Sequence, residues 1–318
     1  MDVKVSDLTE TPTGFIDDVI EGLSQENKTL PCKYFYDETG SNLFEAICDL
    51  DEYYITRTEL KLLDDIKDEL ADLIGPKAVI IEPGAGAGIK IQTLLAALDS
   101  PTTYVPIDIS ADFLFYSAKK ITAKFPEVDI RPIQGDFTET YEWTGNKDFT
   151  NRVVFFPGST IGNFTPKQAE TFLRNQRQFI GRQGAMVIGV DLVKPVARLE
   201  SAYNDKQGVT AEFNKNLLVR INNELGGNFD LNQFEHAAVF NEQESRIEMH
   251  LVSQKKQTVR INQQSFQFDK HENIHTENSY KYSLESFQAL ARRAGFACRQ
   301  SWLDKDELIG VHYLTPEK

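Results

Sequence analysis

The stretch HENIH, residues 271–275, matches the H-E-x-x-H pattern in which two histidines and a glutamate support zinc-dependent hydrolysis. That chemistry needs both histidines one turn apart on a helix and a third metal ligand further along the chain. Between Phe268 and Tyr280 the only apolar side chain is Ile274, so the stretch has no apolar stripe at helical spacing. Downstream, His312 lies in an apolar segment typical of a buried strand. We therefore predict no metal site here.

A second stretch, AVIIEPGAGAGIK (residues 78–90), has residue types that suit nucleotide binding. Its first apolar residues predict a buried parallel strand that ends at Glu82. Gly84, Gly86 and Gly88 follow, and then the pattern of an amphipathic helix begins. Glycines let the backbone approach a ligand closely, and a helix N-terminus favours anionic or polar groups. Alone, the stretch fits a dinucleotide, S-adenosylmethionine, or a tight turn without any ligand.

Three later segments follow in the order expected of an S-adenosylmethionine-dependent methyltransferase. YVPID ends a second strand in Asp108, an acid that could hold both ribose hydroxyls, as it could in a dinucleotide enzyme. IRPIQGDF predicts a third strand ending in Asp136, which could accept from the adenine amino group, and Phe137, which could pack on the ring. NRVVFFPGSTIGNF (residues 151–164) predicts another strand and a polar loop. Strand ends also carry solvated carboxylates, but the order of all these features favours a methyltransferase.

These residues need a mostly parallel sheet to position them. The segments at 296–303 and 308–314 predict a final antiparallel hairpin. The predicted fold is therefore α/β: a Rossmann-like class I methyltransferase sheet with a C-terminal antiparallel hairpin, plus a discontinuous α+β substrate-binding domain. Residues 58–74 and 212–225 predict amphipathic helices, the first capped by its threonine, and residues 244–261 alternate like an antiparallel hairpin.

The domain prediction is discontinuous. Residues 62–194 and 287–318 are assigned to the cofactor-binding methyltransferase domain. Residues 1–61 and 195–286 are assigned to a substrate-binding, lid-like domain.

Composition limits the class of protein. The 318 residues carry a formal net charge of −14, with 41% hydrophobic and 26% charged residues. This is typical of a soluble globular protein and argues against a nucleic-acid partner, which needs a basic surface. No run of about 18 apolar residues predicts a membrane span. The first residues lack a secretion-signal pattern, and three widely spaced cysteines fit a reducing compartment, so we expect a cytoplasmic monomer.

Five segments occur in the order found in one enzyme family. They are LPCKYFYDETGSNLFEAICDLDEYYITRTE (30–59), PGSTIGNF (157–164), RLESAYNDKQGVTAEFNKNLL (198–218), FEHAAVFNEQESRIEMHL (234–251) and TENSYKY (276–282). With them, the chain resembles the histidine-specific Nα-methyltransferases, which form hercynine, the trimethylated histidine of ergothioneine biosynthesis. The resemblance covers residues 12–315. It implies S-adenosylmethionine as the cofactor and L-histidine as the small-molecule substrate.

The resemblance also implies which residues bind each ligand. The implied cofactor-binding residues are Glu82, Gly84, Gly86, Lys90, Asp108, Asp136 and Phe137. The implied substrate-binding residues are Phe44, Tyr53, Thr160, Asn163, Tyr203, Met249, Glu277 and Ser279. The implied catalytic residues are Tyr36, Asn163 and Tyr203. The loop PGAGAGIK is richer in glycine than the serine- and threonine-containing loop common in the family, which matters little where backbone groups make most contacts.

Methyl transfer to an amine mainly requires orientation of the reacting nitrogen. Asn163 and Tyr203 are expected to hold the substrate carboxylate through uncharged donors. The aromatic faces of Tyr36 and Phe44 are expected to receive the growing cation, because aromatic rings attract quaternary ammonium ions. The sequence offers no obvious lysine or histidine base, so water or the Tyr36 hydroxyl could take the proton.

Selectivity for imidazole is expected from the TENS segment. The Glu277 carboxylate and the Ser279 hydroxyl could satisfy both ring nitrogens, and Met249 could supply a polarizable wall. Two alternatives stay open: a member of the same family acting on another aromatic amino acid, such as a tryptophan derivative, and a binding module or nicotinamide enzyme on a similar sheet.

Overall fold

The computed structural model describes residues 6–7, 14–138 and 151–317, and these fall into two compact units. Unit 1 contains the described residues of Met1–Glu10, Ile55–Val193 and Tyr280–Lys318. Unit 2 contains those of Thr11–Tyr54 and Lys194–Ser279. Most of the N-terminal segment that was considered as a secretion signal lies outside the described residues.

The secondary structure of the described residues is as follows. The strands are β1 (Ser6–Asp7), β2 (Lys28–Thr29), β3 (Val79–Pro83), β4 (Thr103–Asp108), β5 (Asp129–Ile130), β6 (Ile133–Gln134), β7 (Arg152–Phe156), β8 (Ala185–Asp191), β9 (Phe234–Asn241), β10 (Arg246–Ser253), β11 (Gln257–Ile261), β12 (Gln264–Phe268), β13 (Asn273–Tyr280), β14 (Phe296–Leu303) and β15 (Ile309–Pro316). The helices are α1 (Phe15–Ser24), α2 (Glu38–Cys48), α3 (Tyr54–Ile74), α4 (Ile89–Ala97), α5 (Ala111–Lys124), α6 (Pro166–Ile180), α7 (Val196–Tyr203), α8 (Val209–Leu225) and α9 (Leu284–Arg293).

Unit 1 is built on a mixed sheet in the order β1-β6-β4-β3-β7-β8-β15-β14, with β5 beside β4. Strands β4, β3, β7 and β8 are parallel, whereas β15 is antiparallel to both β8 and β14. Every residue of β3 and β8 is buried, as expected for apolar strands covered on both faces. The predicted sheet with its C-terminal antiparallel hairpin is confirmed.

Two local predictions in unit 1 need correction. The predicted third strand is split into β5 and β6 by Arg131 and Pro132, because proline lacks the N–H that a continuous ladder needs. The predicted helix at 58–74 begins earlier, at Tyr54, so Thr58 is not its N-cap. Tyr54 and Ile55 are buried and extend the apolar stripe of α3 towards its N-terminus.

Unit 2 contains a four-stranded sheet in the order β2-β13-β10-β9 and a separate two-stranded sheet of β11 and β12. The hairpin predicted within residues 244–261 is wrong, since β10 pairs with β9 and β11 pairs with β12. Both observed pairs are antiparallel neighbours joined by short turns, one of which has Asn262 at a φ of 54°. The alternation of apolar and polar residues along β10 predicts a strand, and the observed burial alternates in the same way. Alternation alone could not identify the strand with which β10 pairs.

The boundaries between the units also differ from those predicted. The sequence places them after residues 61, 194 and 286, whereas the chain passes between units after Glu10, Tyr54, Val193 and Ser279. Residues 1–61 were assigned to one domain, yet Ser6–Asp7 pairs with β6 in the sheet of unit 1. The assignment of cofactor binding to one domain and of substrate binding to the other stays a prediction. No helix among the described residues is long and apolar enough to span a membrane.

Candidate active site

The glycine loop follows β3 directly and leads into α4. Gly84, Gly86 and Gly88 have φ angles of 69°, 51° and 63°, in the left-handed region that favours glycine. A Cβ atom at Gly84 would lie 3.2 Å from the ring of Phe137. The Gly86 N–H donates to Oδ2 of Asp108 over 2.9 Å. The loop thus exposes backbone at the carboxyl end of a parallel strand, where ligands bind in such sheets.

Asp108 ends β4, the neighbouring strand. Its other carboxylate oxygen accepts from the Ser110 N–H over 3.0 Å. Burial raises the pKa of the Asp108 carboxyl, and the hydrogen bonds from Ser110 and Gly86 act in the opposite direction. The structure therefore couples this acid to the glycine loop, and its contact with ribose stays a prediction.

Glu82 lies buried at the end of β3 and accepts a hydrogen bond from the Tyr104 hydroxyl. Burial raises the pKa of Glu82 to about 8, and the nearby carboxyls of Asp108 and Glu59 act in the same direction. The Tyr104 hydrogen bond and Lys90 oppose this shift. Glu82 is therefore mostly protonated at pH 7 and joins β3 to β4 through Tyr104, and its predicted contact with the cofactor stays a prediction.

Asp136 and Phe137 follow β6. One oxygen of Asp136 accepts from both the N–H and the hydroxyl of Thr138, over 3.0 and 2.6 Å. The Phe137 ring packs edge-on against Phe156, with 5.8 Å between the ring centroids, and against Phe172, with 6.2 Å. The residues at 139–150 lie outside the described part of the chain. The predicted adenine contacts stay predictions.

Lys90, in the first turn of α4, forms an ion pair with Glu59 of α3 over 2.6 Å. Glu59 pairs with a predicted cofactor-binding residue and was not singled out from the sequence, although it closes the distinctive segment at 30–59. The sequence does indicate that Glu59 is buried. It stands four residues after Ile55 and three before Leu62, so it lies on the apolar stripe of an amphipathic helix.

The loop after β7 carries Thr160 and Asn163 in a short 3₁₀-helix. Ser159 precedes it with a φ of 56°, and its hydroxyl accepts the Asp191 N–H over 2.8 Å. The backbone of Gly162 runs so close to Tyr280 that a side chain at Gly162 would meet the Tyr280 carbonyl at 2.9 Å. Unit 1 thus holds two of the predicted substrate residues in a tightly packed loop.

Unit 2 brings together other predicted substrate residues in a cluster of aromatic rings. Tyr36 packs edge-on against Phe44 at 5.7 Å, Phe44 against Tyr53 at 6.2 Å, and Tyr53 against Tyr203 at 6.2 Å. The Tyr203 hydroxyl donates to Oγ of Ser279 over 2.7 Å, and both residues are buried. The four aromatic rings therefore form a row, and the last of them, Tyr203, belongs to a buried pair of hydroxyl groups.

Phe213 of α8 belongs to the same cluster and was missed from sequence. Its ring stacks on Phe35 at 4.4 Å and contacts both Tyr36 at 5.8 Å and Phe44 at 5.9 Å. Burial raises the pKa of Tyr53 well above its usual value, and Tyr203, Cys48, Tyr36 and Glu277 act in the same direction. Tyr53 is therefore a neutral phenol at physiological pH.

Glu277 and Ser279 are two residues apart on β13, so their side chains point to the same face of the sheet. Met249 is buried on β10, and its carbonyl accepts from the Thr276 hydroxyl over 3.1 Å. The Glu277 carbonyl bonds to Nε2 of His275 over 2.9 Å. The TENS segment is therefore fixed to β10 and to its own preceding histidine.

A buried polar network on α8, β9 and β13 was also missed. Asn214 is fully buried and accepts from the Thr276 hydroxyl over 2.7 Å. Its amide nitrogen contacts Nδ1 of His236 at 2.9 Å, and Nε2 of His236 contacts the Tyr203 carbonyl at 2.8 Å. Since a carbonyl only accepts, Nε2 carries the proton and Nδ1 accepts from Asn214. The network connects Tyr203 to the strand of Glu277.

The HENIH stretch is not helical. His271 lies in a turn with a φ of 70°, whereas His275 is on β13 and stacks against His250 with 4.9 Å between ring centroids. The spacing of the motif therefore does not bring its two histidines to one helix face. Within the described residues no group of three or more His, Cys, Asp or Glu side chains is arranged to hold a metal ion.

Comparison with known proteins identifies the family. Residues 15–316 match the family described as "Histidine-specific methyltransferase, SAM-dependent". A "Histidine N-alpha-methyltransferase" of Mycolicibacterium smegmatis is 37% identical over 90% of each chain. One of the same name from Mycobacterium tuberculosis is 38% identical over 92% of each chain. "Ergothioneine biosynthesis protein 1" of Neurospora crassa is 30% identical over 92% of this chain and 33% of its own length. This chain therefore belongs to the S-adenosylmethionine-dependent, histidine-specific methyltransferase family, as predicted.

Proposed function

We propose that this protein transfers three methyl groups from S-adenosylmethionine to the α-amino nitrogen of L-histidine and forms hercynine for ergothioneine biosynthesis. The observation that carries the proposal is the buried Tyr203–Ser279 hydroxyl pair of unit 2, which lies beside Glu277 on one face of β13 and ends a row of four aromatic rings. The relatives named for this activity and for ergothioneine biosynthesis support the substrate and the pathway.

The residues of unit 1 fit S-adenosylmethionine. Three glycines with positive φ leave the backbone accessible at the end of β3. Asp108 and Asp136 supply carboxylates for hydroxyl and amino donors, and Phe137 supplies an apolar ring. When bound, the cofactor supplies a methyl group on a positively charged sulfur. The amine lone pair attacks the carbon of that methyl group from the side opposite the sulfur.

The chain's own residues have to orient the amine and accommodate its products. Asn163 and Tyr203 hold the substrate carboxylate through uncharged donors, which fixes the α-carbon. The Tyr203 hydroxyl has one proton, which it donates to Oγ of Ser279, so it has to turn that proton to the carboxylate when the substrate binds. Three protons leave the nitrogen in all: one converts the ammonium to the reactive amine before the first transfer, and one follows each of the first two transfers. Water takes them, directly or through the Tyr36 hydroxyl. The third leaves a quaternary cation without N–H donors, and the faces of Tyr36 and Phe44 suit such a cation because their π-electrons attract it.

Glu277 and Ser279 provide the selectivity. A carboxylate and a hydroxyl pair with the two imidazole nitrogens, whereas phenylalanine has no ring nitrogen to offer either group. Sites of this kind reject analogues that lack the polar group by about 10⁴-fold.

The test is mass spectrometry after incubation of the purified protein with S-adenosylmethionine and an equimolar mixture of the twenty amino acids. We expect histidine alone to gain three methyl groups, all on the α-nitrogen by fragmentation. Methylation of another amino acid, or of an imidazole nitrogen, would contradict the proposal, as would the absence of any methylated product.

We also propose that the protein is a cytoplasmic monomer. Its cysteines form no disulfide within the described residues, which suits a reducing compartment. Light scattering coupled to size-exclusion chromatography should give a mass near the 36.1 kDa of one chain, and a mass of twice that value would contradict the monomer.

A further inference from the structure

The Glu59 carboxylate has a position that the proposed chemistry does not yet explain. It projects from α3 and is 1% exposed. One oxygen lies 2.6 Å from Nζ of Lys90, and the Gly158 N–H lies 2.7 Å from the same oxygen and 3.0 Å from the other. A single buried carboxylate therefore joins the helix after β3 to the loop after β7.

The surrounding glycines leave room for this carboxylate. A side chain at Gly189 of β8 would overlap with Oε1 of Glu59. Gly158 has a φ of 85°, and a Cβ atom there would lie 3.3 Å from Nζ of Lys90. A buried carboxylate is tolerated only when it is paired and hydrogen-bonded, and the backbone here is shaped to provide both.

We propose that Glu59 is a positioning residue for cofactor binding: it fixes the Lys90 ammonium and the Gly158 backbone so that Lys90 meets the carboxylate of S-adenosylmethionine. The inference rests on the proposed function. An ammonium has three donors, and Glu59 takes one of them. Lys90 is 15% exposed, so its ammonium can still reach a ligand while Glu59 holds it in one orientation.

Glu59→Gln tests this role because it keeps the shape and removes the charge. The amide keeps one oxygen that can accept from Lys90 and the Gly158 N–H but removes the negative charge that pairs with the ammonium. Loss of a charged hydrogen bond predicts a rise of about tenfold or more in the Kd of S-adenosylhomocysteine by calorimetry. The control is Glu69→Gln on the same helix, whose carboxylate accepts from the Trp302 indole over 2.8 Å; we expect wild-type affinity.

A double-mutant cycle separates positioning from a general structural effect. If Glu59 acts through Lys90, adding Glu59→Gln to Lys90→Met should change the Kd less than twofold further. It should also raise the Tm relative to Lys90→Met, because it removes a buried carboxylate left without its cation. If Glu59→Gln alone does not fold, the Kd comparison between Lys90→Met and the double variant still tests the positioning role.

The outcomes distinguish this inference from the proposed function. Wild-type affinity in Glu59→Gln, or fully additive effects in the double variant, would overturn the positioning role while histidine methylation by the wild-type protein stands. Failure of the wild-type protein to bind either S-adenosylmethionine or S-adenosylhomocysteine would overturn the proposed function and this inference together.

Discussion

In unit 1 the candidate ligand-binding groups after β3 are largely backbone groups, whereas in unit 2 they are buried and half-buried side chains. The glycine loop of unit 1 depends on left-handed φ angles at Gly84 and Gly86 and on the bond from Gly86 to Asp108. The cluster of unit 2 depends on the rings around Tyr53 and on the bond from Tyr203 to Ser279. The two regions therefore place opposite demands on the sequence.

This difference predicts opposite responses to mutation. A backbone site is damaged by adding atoms, since a new Cβ atom strains the loop or fills the space a ligand needs. A side-chain site is damaged by removing atoms, because its polar partners then lie buried without hydrogen bonds. Variants of each kind can be compared with matched controls.

The largest effect is expected from removing a side chain of unit 2. Glu277→Ala should lower kcat/KM for histidine by about 10³-fold, because the imidazole loses its charged partner. Cofactor affinity should stay unchanged. Steady-state kinetics and calorimetry measure the two quantities, with Asn273→Ala at an exposed position of the same strand as the control. Wild-type turnover of histidine in Glu277→Ala would remove Glu277 from the site.

Adding one carbon to unit 1 should have the next largest effect. Gly84→Ala combines a φ of 69° with a contact 3.2 Å from Phe137. Strain of about 1–3 kcal/mol should move the loop and raise the cofactor Kd by about 30-fold. Gly75→Ala is the control, because Gly75 has a φ of 75° and no atom within 4 Å of an added Cβ. Gly75→Ala should lose stability but keep its affinity for the cofactor. Equal cofactor affinities in Gly84→Ala and Gly75→Ala would count against a cofactor site formed by the backbone.

Removing one hydroxyl from the network of unit 2 should cost stability. Thr276→Val keeps the shape but removes the hydroxyl whose single proton the buried Asn214 Oδ1 and the Met249 carbonyl share. The free energy of unfolding in urea should fall by about 1–3 kcal/mol, and KM for histidine should rise severalfold. Thr171→Val, which removes an exposed hydroxyl from α6, should change neither quantity. An unchanged KM in Thr276→Val would separate the network from substrate binding.

The last prediction concerns stability alone and its dependence on pH, and it arises from the buried Glu82 carboxyl at the end of β3. Because the pKa of Glu82 is raised to about 8, the folded protein retains a proton that the unfolded chain releases above its ordinary pKa of 4.5. Stability from this group is therefore full below pH 4.5 and is lost as pH rises towards 8, by about 1.4 kcal/mol per unit. Glu82→Gln should lack this loss in urea unfolding curves between pH 5.5 and 7.5. Parallel curves for both proteins would contradict the shifted pKa.

Sequence alone predicted unit 1 better than unit 2 for a physical reason. A strand buried on both faces has a continuous apolar pattern. In β3 this pattern is followed directly by an acid and by the glycines of the loop, so the strand and its loop can be identified from a short stretch of sequence. The partner of β10 depends on the turns that flank it rather than on alternation alone, which is why the hairpin at 244–261 was predicted wrongly.

The residues missed from sequence share one property. Glu59 and Asn214 are polar residues on helices that are otherwise recognised by their apolar stripes, and such residues are usually assigned to the solvent-facing side. Their partners lie far away in the chain: Gly158 is 99 residues from Glu59, and Thr276 is 62 residues from Asn214. Only the tertiary structure brings them together.

The most direct measurement of the central claim is calorimetry of two variants with both ligands. S-adenosylhomocysteine is titrated first, and L-histidine is then titrated into the saturated protein. We predict that Asp108→Ala weakens S-adenosylhomocysteine binding about tenfold or more but keeps wild-type histidine affinity, and that Glu277→Ala shows the reverse. Loss of both affinities in either variant, or wild-type cofactor affinity in Asp108→Ala, would contradict the separate roles of Asp108 in cofactor binding and of Glu277 in histidine binding.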